Sequence, residues 1–121
     1  MKKKVAVFGA SVKPERYSHK AVRLLKRNGF DVMPVGLRKG TIDGLEIVNF
    51  DEVPLQRVHT VSLYLSARNQ KPYYELIFSL DPERVIFNPG TENDELKRLL
   101  AGKGIETVED CTIQMLLRGD F

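Results

Sequence analysis

The chain has 121 residues, of which 42% are hydrophobic and 29% are charged. We expect residues 1–121 to form a single globular domain, because this length and balance suffice for one hydrophobic core. The formal net charge of +3 is too small to indicate nucleic-acid binding, and it suits a compact anionic ligand equally well.

The single cysteine cannot form an internal disulfide, which is typical of a protein from the reducing cytoplasm. No apolar stretch is long enough to span a membrane. The apolar run that follows residues 1–4 ends at Gly9, too early for a signal peptide. We therefore expect a cytoplasmic protein without a membrane partner.

The first apolar run, at residues 5–8, predicts a strand that is buried on both faces. Gly9 then permits a tight turn. Apolar residues at helical spacing predict an amphipathic helix over residues 18–28, which Gly29 ends. A buried strand, a glycine turn and a helix start are the beginning of a nucleotide-binding α/β domain.

Four further strands are predicted at residues 31–35, 60–65, 84–87 and 105–108. Residues 66–71 are predicted to be a polar loop, with Pro72 in the first turn of the helix that follows. Thr91 and Asp94 resemble a capping box before the next helix, and Asp110 is placed to cap the last one.

This alternation of strands and helices predicts a single Rossmann-like α/β domain of three layers. Its five-stranded parallel sheet has the order 3-2-1-4-5 and helices on both faces. A ligand then binds beyond the carboxyl ends of the strands, where the strand order reverses. The loops expected there follow strands one and four, with the loop after strand two beside them and residues 64–69 beyond it.

The loop after the first strand carries the features of a phosphate site. Gly9, Ala10 and Ser11 are small, so a diphosphate can approach the backbone, and Ser11 has a hydroxyl. The cationic residues Lys13 and Arg16 follow, and Ser18 stands at the helix start. The alternative interpretation is a tight turn with solvated cations and an ordinary helix cap.

The dinucleotide fingerprint G-x-G-x-x-G is broken, since Ser11 and Pro14 replace its second and third glycines. Arg38 and Lys39, rather than an acid, follow the second strand. These cations favour an additional ribose phosphate, as in NADP or coenzyme A, unless they belong to an ordinary solvated loop. Asn88-Pro89-Gly90 is either a plain turn or the far wall of the cleft.

Residues 9–11, 14–18, 34–35 and 87–93 together resemble the small stand-alone coenzyme A-binding proteins. These are similar to the CoA-binding domain of the succinyl-CoA synthetase α subunit and of NDP-forming acyl-CoA synthetases. The resemblance covers essentially the whole chain and implies binding of CoA or an acyl-CoA. The larger synthetases also carry a phosphohistidine segment and an ATP-grasp domain, so their ligase reaction is not carried over to these 121 residues.

The resemblance also implies site residues. The diphosphate would be held by Gly9, Ala10 and Ser11 with Arg16 and Ser18, and the 3′-phosphate would lie near Arg38 or Lys39. The adenine would be bordered by Pro34, Val35 and Gly36, and the pantetheine by Tyr64, Asn88, Pro89 and Gly90. The family commonly has Asn in a Val-Asn-Pro run where this chain has Gly36.

Catalysis and metal binding find little support in the sequence. His19, near the expected phosphates, is predicted to be an exposed helix residue with a phosphate contact as the alternative, and His59 lies at the opposite end. Neither a metal-ligand spacing nor a nucleophile paired with a base is apparent. Cys111 stands at a helix start, where a mixed disulfide with CoA is a further hypothesis.

Three functions therefore stay open. The first is a non-enzymatic CoA-binding module, regulatory or acting with a protein partner or as a homo-oligomer. The second is an NADP-dependent oxidoreductase, and the third is an interaction protein with a vestigial cleft.

Overall fold

A computed structural model describes residues 3–121. Five parallel strands form the main sheet: β1 (Lys4–Phe8), β2 (Asp31–Val35), β5 (Thr60–Leu63), β6 (Arg84–Phe87) and β7 (Glu106–Glu109). A small antiparallel hairpin, β3 (Thr41–Ile42) and β4 (Leu45–Glu46), follows β2. The helices are α1 (Tyr17–Arg27), α2 (Ala67–Gln70), α3 (Tyr74–Ser79), α4 (Asp94–Gly102) and α5 (Thr112–Arg118). Short 3₁₀ turns occupy Phe50–Glu52 and Lys71–Tyr73.

Strands β1, β2, β5 and β6 are buried on both faces along most of their length, which confirms the predicted three-layer α/β class. Side chains alternate along β1, so Val5 and Val7 pack towards α1, while Ala6 and Phe8 pack towards α3 and α4. Helix α1 also packs against α5. The apolar runs thus behave as strands between two helical layers.

The strands lie in the order β2-β1-β5-β6-β7. Val48 pairs with Val35 through an isolated parallel bridge at the outer edge of β2. It therefore occupies the third-strand position of the 3-2-1-4-5 pattern, and β5 occupies the fourth. Strand β5 lies directly beside β1, so the loop after it adjoins the Gly9 loop instead of lying beyond the β2 loop as predicted.

Three local expectations are wrong. Residues 67–70 form the helical turn α2 within the segment predicted as loop. Helix α4 is capped by Asn93, whose side chain accepts the Leu96 N–H at 3.1 Å, whereas the Thr91 hydroxyl donates to the Asn88 carbonyl. Asp110 does not cap α5, because its carboxylate accepts the Cys111 N–H one residue before that helix.

Candidate functional site

A cleft of about 600 Å³ lies at the carboxyl edge of the sheet, where the loops after β1, β5 and β6 meet. The β1 loop and the start of α1 contribute Gly9, Ser11, Lys13, Arg16, Tyr17 and Ser18. The other loops contribute Arg38, Tyr64, Ser66, Pro89, Gly90 and Thr91. Nine of the residues predicted for the site therefore line one cleft of the size that ligand pockets have.

Hydrogen bonds from the β1 loop to the rest of the protein decide which of its backbone N–H groups remain available to a ligand. Gly9, with φ of +96°, and Ala10 both donate their N–H to the Val35 carbonyl, at 2.8 and 3.0 Å. These two amides are therefore engaged by the protein itself. Among residues 3–121, the amides of Ser11 and Val12 donate to no protein acceptor. An anion that binds at the β1 loop can therefore accept hydrogen bonds from the N–H groups of Ser11 and Val12.

The start of α1 offers a second set of donors. Its N-cap residue, Arg16, makes no side-chain capping bond, and the first turn contains no acidic residue. The first N–H groups of a helix have no intrahelical acceptor and carry the positive end of the dipole. Because Tyr17 and Ser18 line the cleft, this helix end supplies donors suited to a phosphate.

Three cations border the same cleft. Lys13, Arg16 and Arg38 are exposed, and none of them forms an ion pair with another described residue. Within the described chain, the residues lining the cleft include no Asp, Glu, His or Cys. The cleft is therefore electropositive and suited to a ligand with several negative charges.

Six predicted residues do not line this cleft, namely the five described here and Asn88, which is described below. Pro34, Val35 and Gly36 are buried at the end of β2, because Gly36 donates to the Val48 carbonyl and lies against Ala10. Lys39 borders a separate depression beside β3 and β4. Ala10 contributes to an adjoining slot of about 220 Å³.

That slot was not predicted from the sequence. It is lined by the apolar side chains of Val12, Leu37, Phe50 and Leu65, and it shares Gly9, Ser11, Lys13 and Arg38 with the main cleft. No periodic pattern connects its apolar residues, which come from three loops and a 3₁₀ turn. Tyr17, Ser66 and Thr91 were missed in the main cleft for the same reason.

Asn88, predicted as a wall of the cleft, is instead a buried hydrogen-bond centre with 1% exposure. Its Nδ2 donates to Ser62 Oγ at 2.9 Å and to the Leu63 carbonyl at 2.8 Å. Its Oδ1 accepts the Thr112 N–H at 2.8 Å. Asn88 therefore positions Pro89 and Gly90 and does not itself face the cleft.

Tyr64 presents its ring to the cleft while its hydroxyl is buried. The hydroxyl makes no hydrogen bond with a described residue. The nearby hydroxyls of Ser62 and Thr112 bond to each other at 2.8 Å. Burial raises the pKa of Tyr64 well above its ordinary value of 10.0. The phenol is therefore neutral in the folded protein throughout the physiological range.

The two histidines differ in environment. His19 is 8% exposed, so the prediction of an exposed helix residue is wrong. Its Nδ1 lies 2.8 Å from the Ser11 carbonyl oxygen. His59 lies at the opposite edge, where its N–H donates to the Lys4 carbonyl and its Nδ1 bonds Thr60 Oγ1. Burial lowers the pKa of His59.

Cys111 is partly exposed and precedes α5, but it does not line the cleft. Its disulfide with CoA therefore stays a hypothesis that the cleft geometry does not support. Residues 3–121 contain no cluster of three or more His, Cys, Asp or Glu side chains that could hold a metal ion. No helix in this part of the chain has the length and apolarity needed to cross a membrane.

Comparison with known proteins identifies a matching family and several solved structures with the same fold. The sequence model of the family described as "CoA binding domain" matches residues 3–117. A crystal structure of an uncharacterized protein is 45% identical, with a TM-score of 0.94, and the alignment covers 100% of this chain and 99% of that one. No curated protein gives a significant match.

Two more distant structures share the fold. The structure of cell-free ID.343 from Thermus thermophilus is 24% identical, with a TM-score of 0.85 and coverage of 99% of this chain and 91% of that chain. A dinucleotide-forming acetyl-coenzyme A synthetase 1 from Ca. Korarchaeum cryptofilum is 18% identical with a TM-score of 0.71. That alignment covers 89% of this chain but only 25% of the synthetase.

Proposed function

The chain belongs to the CoA-binding domain family, and we propose that it binds coenzyme A or an acyl-CoA in the cleft at the carboxyl edge of its sheet. One observation carries this proposal: three cations that form no ion pair within residues 3–121, together with the uncapped start of α1, converge on that cleft. CoA carries a diphosphate and a 3′-phosphate, so the donor set matches the charge of the ligand.

The diphosphate is assigned to the β1 loop and the start of α1. The amides of Ser11 and Val12 are the donors, because Val35 already engages those of Gly9 and Ala10. Lys13 and Arg16 supply charge, and Ser18 lies at the helix start. Gly9 and Ala10 then serve by shaping the loop, in contrast to the direct contacts that the resemblance implies.

The 3′-phosphate is assigned to Arg38, which borders both the cleft and the apolar slot. The slot, with Leu37, Phe50 and Leu65, offers apolar surfaces for the adenine ring. Lys39 lies in the other depression and has no assigned contact. The slot is supported by the end of β2, since Ala10 in its lining contacts Val35 and Gly36, which follow Pro34.

The pantetheine is assigned to the opposite end of the cleft, along the Tyr64 ring and the Pro89-Gly90 turn. Gly90 has a φ of +91°, and apart from its own chain neighbours no atom of the described residues lies within 4 Å of the position that a Cβ would take. The turn therefore leaves room beside Gly90 for the pantetheine arm of the ligand. The hydroxyls of Ser66 and Thr91 are the polar groups nearby.

We assign a binding role without catalysis. The lining residues include several hydroxyls, but among the described residues none of them is an acid, a histidine or a cysteine that could activate a nucleophile. A regulatory role or one with a protein partner, in the cytoplasm, is the biological setting that fits such a module.

Calorimetric titration with CoA, dephospho-CoA and NADP tests the proposal. We expect micromolar CoA binding that is weakened about tenfold by loss of the 3′-phosphate. Tighter binding of NADP than of CoA would instead indicate the oxidoreductase. If none of the three binds, the cleft is vestigial and the proposal fails.

A further inference from the structure

His19 is a buried histidine that the ligand assignments above do not use. It lies in the first turn of α1, and its ring is almost completely enclosed. A carbonyl oxygen can only accept a hydrogen bond, so the 2.8 Å contact with Ser11 O requires the proton on Nδ1. The ring therefore donates a hydrogen bond to the β1 loop.

Two hydrogen bonds join the loop to the helix: this one, near the start of the loop, and the bond from the Lys20 N–H to the Arg16 carbonyl at its end. Residues 12–17 are exposed. Two bonds, from Lys13 N–H to Ser11 Oγ and from Arg16 N–H to the Lys13 carbonyl, lie within the loop itself. Across the described chain, the His19 ring is the only side chain outside residues 11–16 that bonds to this loop.

The orientation of one peptide follows from that contact. The Ser11 carbonyl and the Val12 N–H belong to the same peptide group, and the chain has no cis peptide bonds among its described residues. In a trans peptide these two groups point in opposite directions. Because Ser11 O is held against His19, the Val12 N–H points away from the ring and is left free of protein acceptors.

We propose that His19 is a positioning residue: its Nδ1–H holds the Ser11 carbonyl, so that residues 11–16 present the Val12 amide, Lys13 and Arg16 to the phosphates of the ligand. The inference rests on the proposed CoA-binding function. A preorganised loop avoids an ordering cost when the ligand binds. His19 thus improves affinity without touching the ligand.

Two amide substitutions separate this role from a direct contact. In His19→Asn the amide nitrogen takes the place of Nδ1 and can still donate to Ser11. In His19→Gln the amide nitrogen takes the place of Nε2, which could reach a phosphate but not Ser11. His19→Leu removes both functions, and His59→Gln at the opposite edge of the sheet is the matched control.

We expect His19→Asn and His59→Gln to bind CoA as the wild type does, and His19→Gln and His19→Leu to bind roughly three- to tenfold more weakly. Affinity retained by Gln but lost by Asn would assign Nε2 to the phosphate and overturn the proposal. Unchanged affinity in all variants, or equal losses in Asn and Leu, would also overturn it.

Amide hydrogen exchange in the absence of ligand gives a readout that does not depend on CoA. The amides of Lys13 and Arg16 should exchange faster in His19→Leu than in His19→Asn, because only Asn keeps the loop tied. Equal exchange would show that His19 does not hold the loop. Failure of the wild type to bind CoA, with this difference preserved, would instead count against the proposed function alone.

Discussion

Asn88 Oδ1 accepts the backbone N–H of Thr112 at 2.8 Å, so the residue that follows β6 caps the helix after β7. The cap fixes the position of α5 relative to the turn that borders the cleft. The Nδ2 group of the same side chain donates hydrogen bonds to Ser62 Oγ and to the Leu63 carbonyl. A single buried amide thus joins its own turn to two segments that lie 24 to 26 residues away along the chain.

Replacing Asn88 should therefore destabilise the protein strongly. Asn88→Ala leaves the Thr112 N–H and the Leu63 carbonyl without their partner, which we expect to lower the free energy of unfolding by about 2–3 kcal/mol. Asn69→Ala is the control, since Asn69 is exposed and its side chain bonds only Ser66 Oγ. Chemical denaturation measures both, and similar losses would contradict the role of Asn88.

Arg38 and Lys39 are adjacent cations with different predicted effects. Arg38→Ala should reduce the preference for CoA over dephospho-CoA about tenfold, because Arg38 borders the cleft and the slot. Lys39→Ala should leave that ratio unchanged, since Lys39 lies in a separate depression. Titration of each variant with both ligands gives the ratio. Loss of preference in the Lys39 variant alone would reverse the assignment.

Gly36 is required by the close approach of two loops. A Cβ at this position would lie 2.5 Å from the Ala10 carbonyl oxygen, a backbone atom that cannot move freely. We expect Gly36→Ala to lower the free energy of unfolding by about 1–3 kcal/mol. An asparagine at this position would meet the same obstacle, since it also has a Cβ.

Gly102→Ala serves as the control for Gly36. Gly102 is the last residue of α4, and apart from its chain neighbours and the nearby backbone of that helix, no atom of residues 3–121 lies within 4 Å of the position that its Cβ would take. Alanine there should be neutral or stabilising by up to about 1 kcal/mol. If thermal unfolding shows the two variants to be equally stable, the contact with Ala10 does not constrain Gly36.

The buried Tyr64 hydroxyl gives a prediction on stability and pH. Since this hydroxyl has no partner within residues 3–121, Tyr64→Phe should not destabilise the protein and should stabilise it by up to about 1 kcal/mol. The raised pKa means that the folded state retains the phenolic proton at a pH where the unfolded chain loses it. Stability conferred by the neutral phenol is therefore lost as pH rises above 10.0.

Denaturation of wild type and Tyr64→Phe between about pH 8 and 11 measures this difference, with Tyr17→Phe as an exposed control. The wild type should lose stability relative to Tyr64→Phe at the alkaline end. Parallel curves would mean that the phenol ionises equally in both states. A marked loss of stability in Tyr64→Phe at neutral pH would mean that the hydroxyl has a partner.

The sheet and its helices could be predicted because they depend on local periodicity. Residues 5–8 and 85–87 are continuous apolar runs, and in the structure both are buried within the strands β1 and β6. The position of β5 beside β1 could not be read from such runs, since it depends on Val48 occupying the outer edge of β2. Local sequence patterns predict the order of strands and helices along the chain, but they do not predict which strands lie side by side in the sheet.

The site was predicted where chemistry and chain position coincide, as at Ser11, Arg16 and Arg38. Sequence reasoning failed where a residue far along the chain determines the orientation or burial of a side chain. His19 is buried because the Ser11 carbonyl folds back over it, and Asn88 turns inward because Ser62 and Thr112 offer bonds there. The apolar slot joins Leu37, Phe50 and Leu65 from separate segments. Spacing along the chain contains no signal for such contacts.

The measurement that tests the central claim most directly is an amide chemical-shift titration of the ¹⁵N-labelled protein with CoA. We predict that the amides of Ser11, Val12, Ser18 and Gly90 shift, while those of His59 and Glu83 at the opposite edge of the sheet do not. Shifts confined to residues 39–52, around the other depression, or no shifts at all, would contradict the assignment of this cleft to CoA.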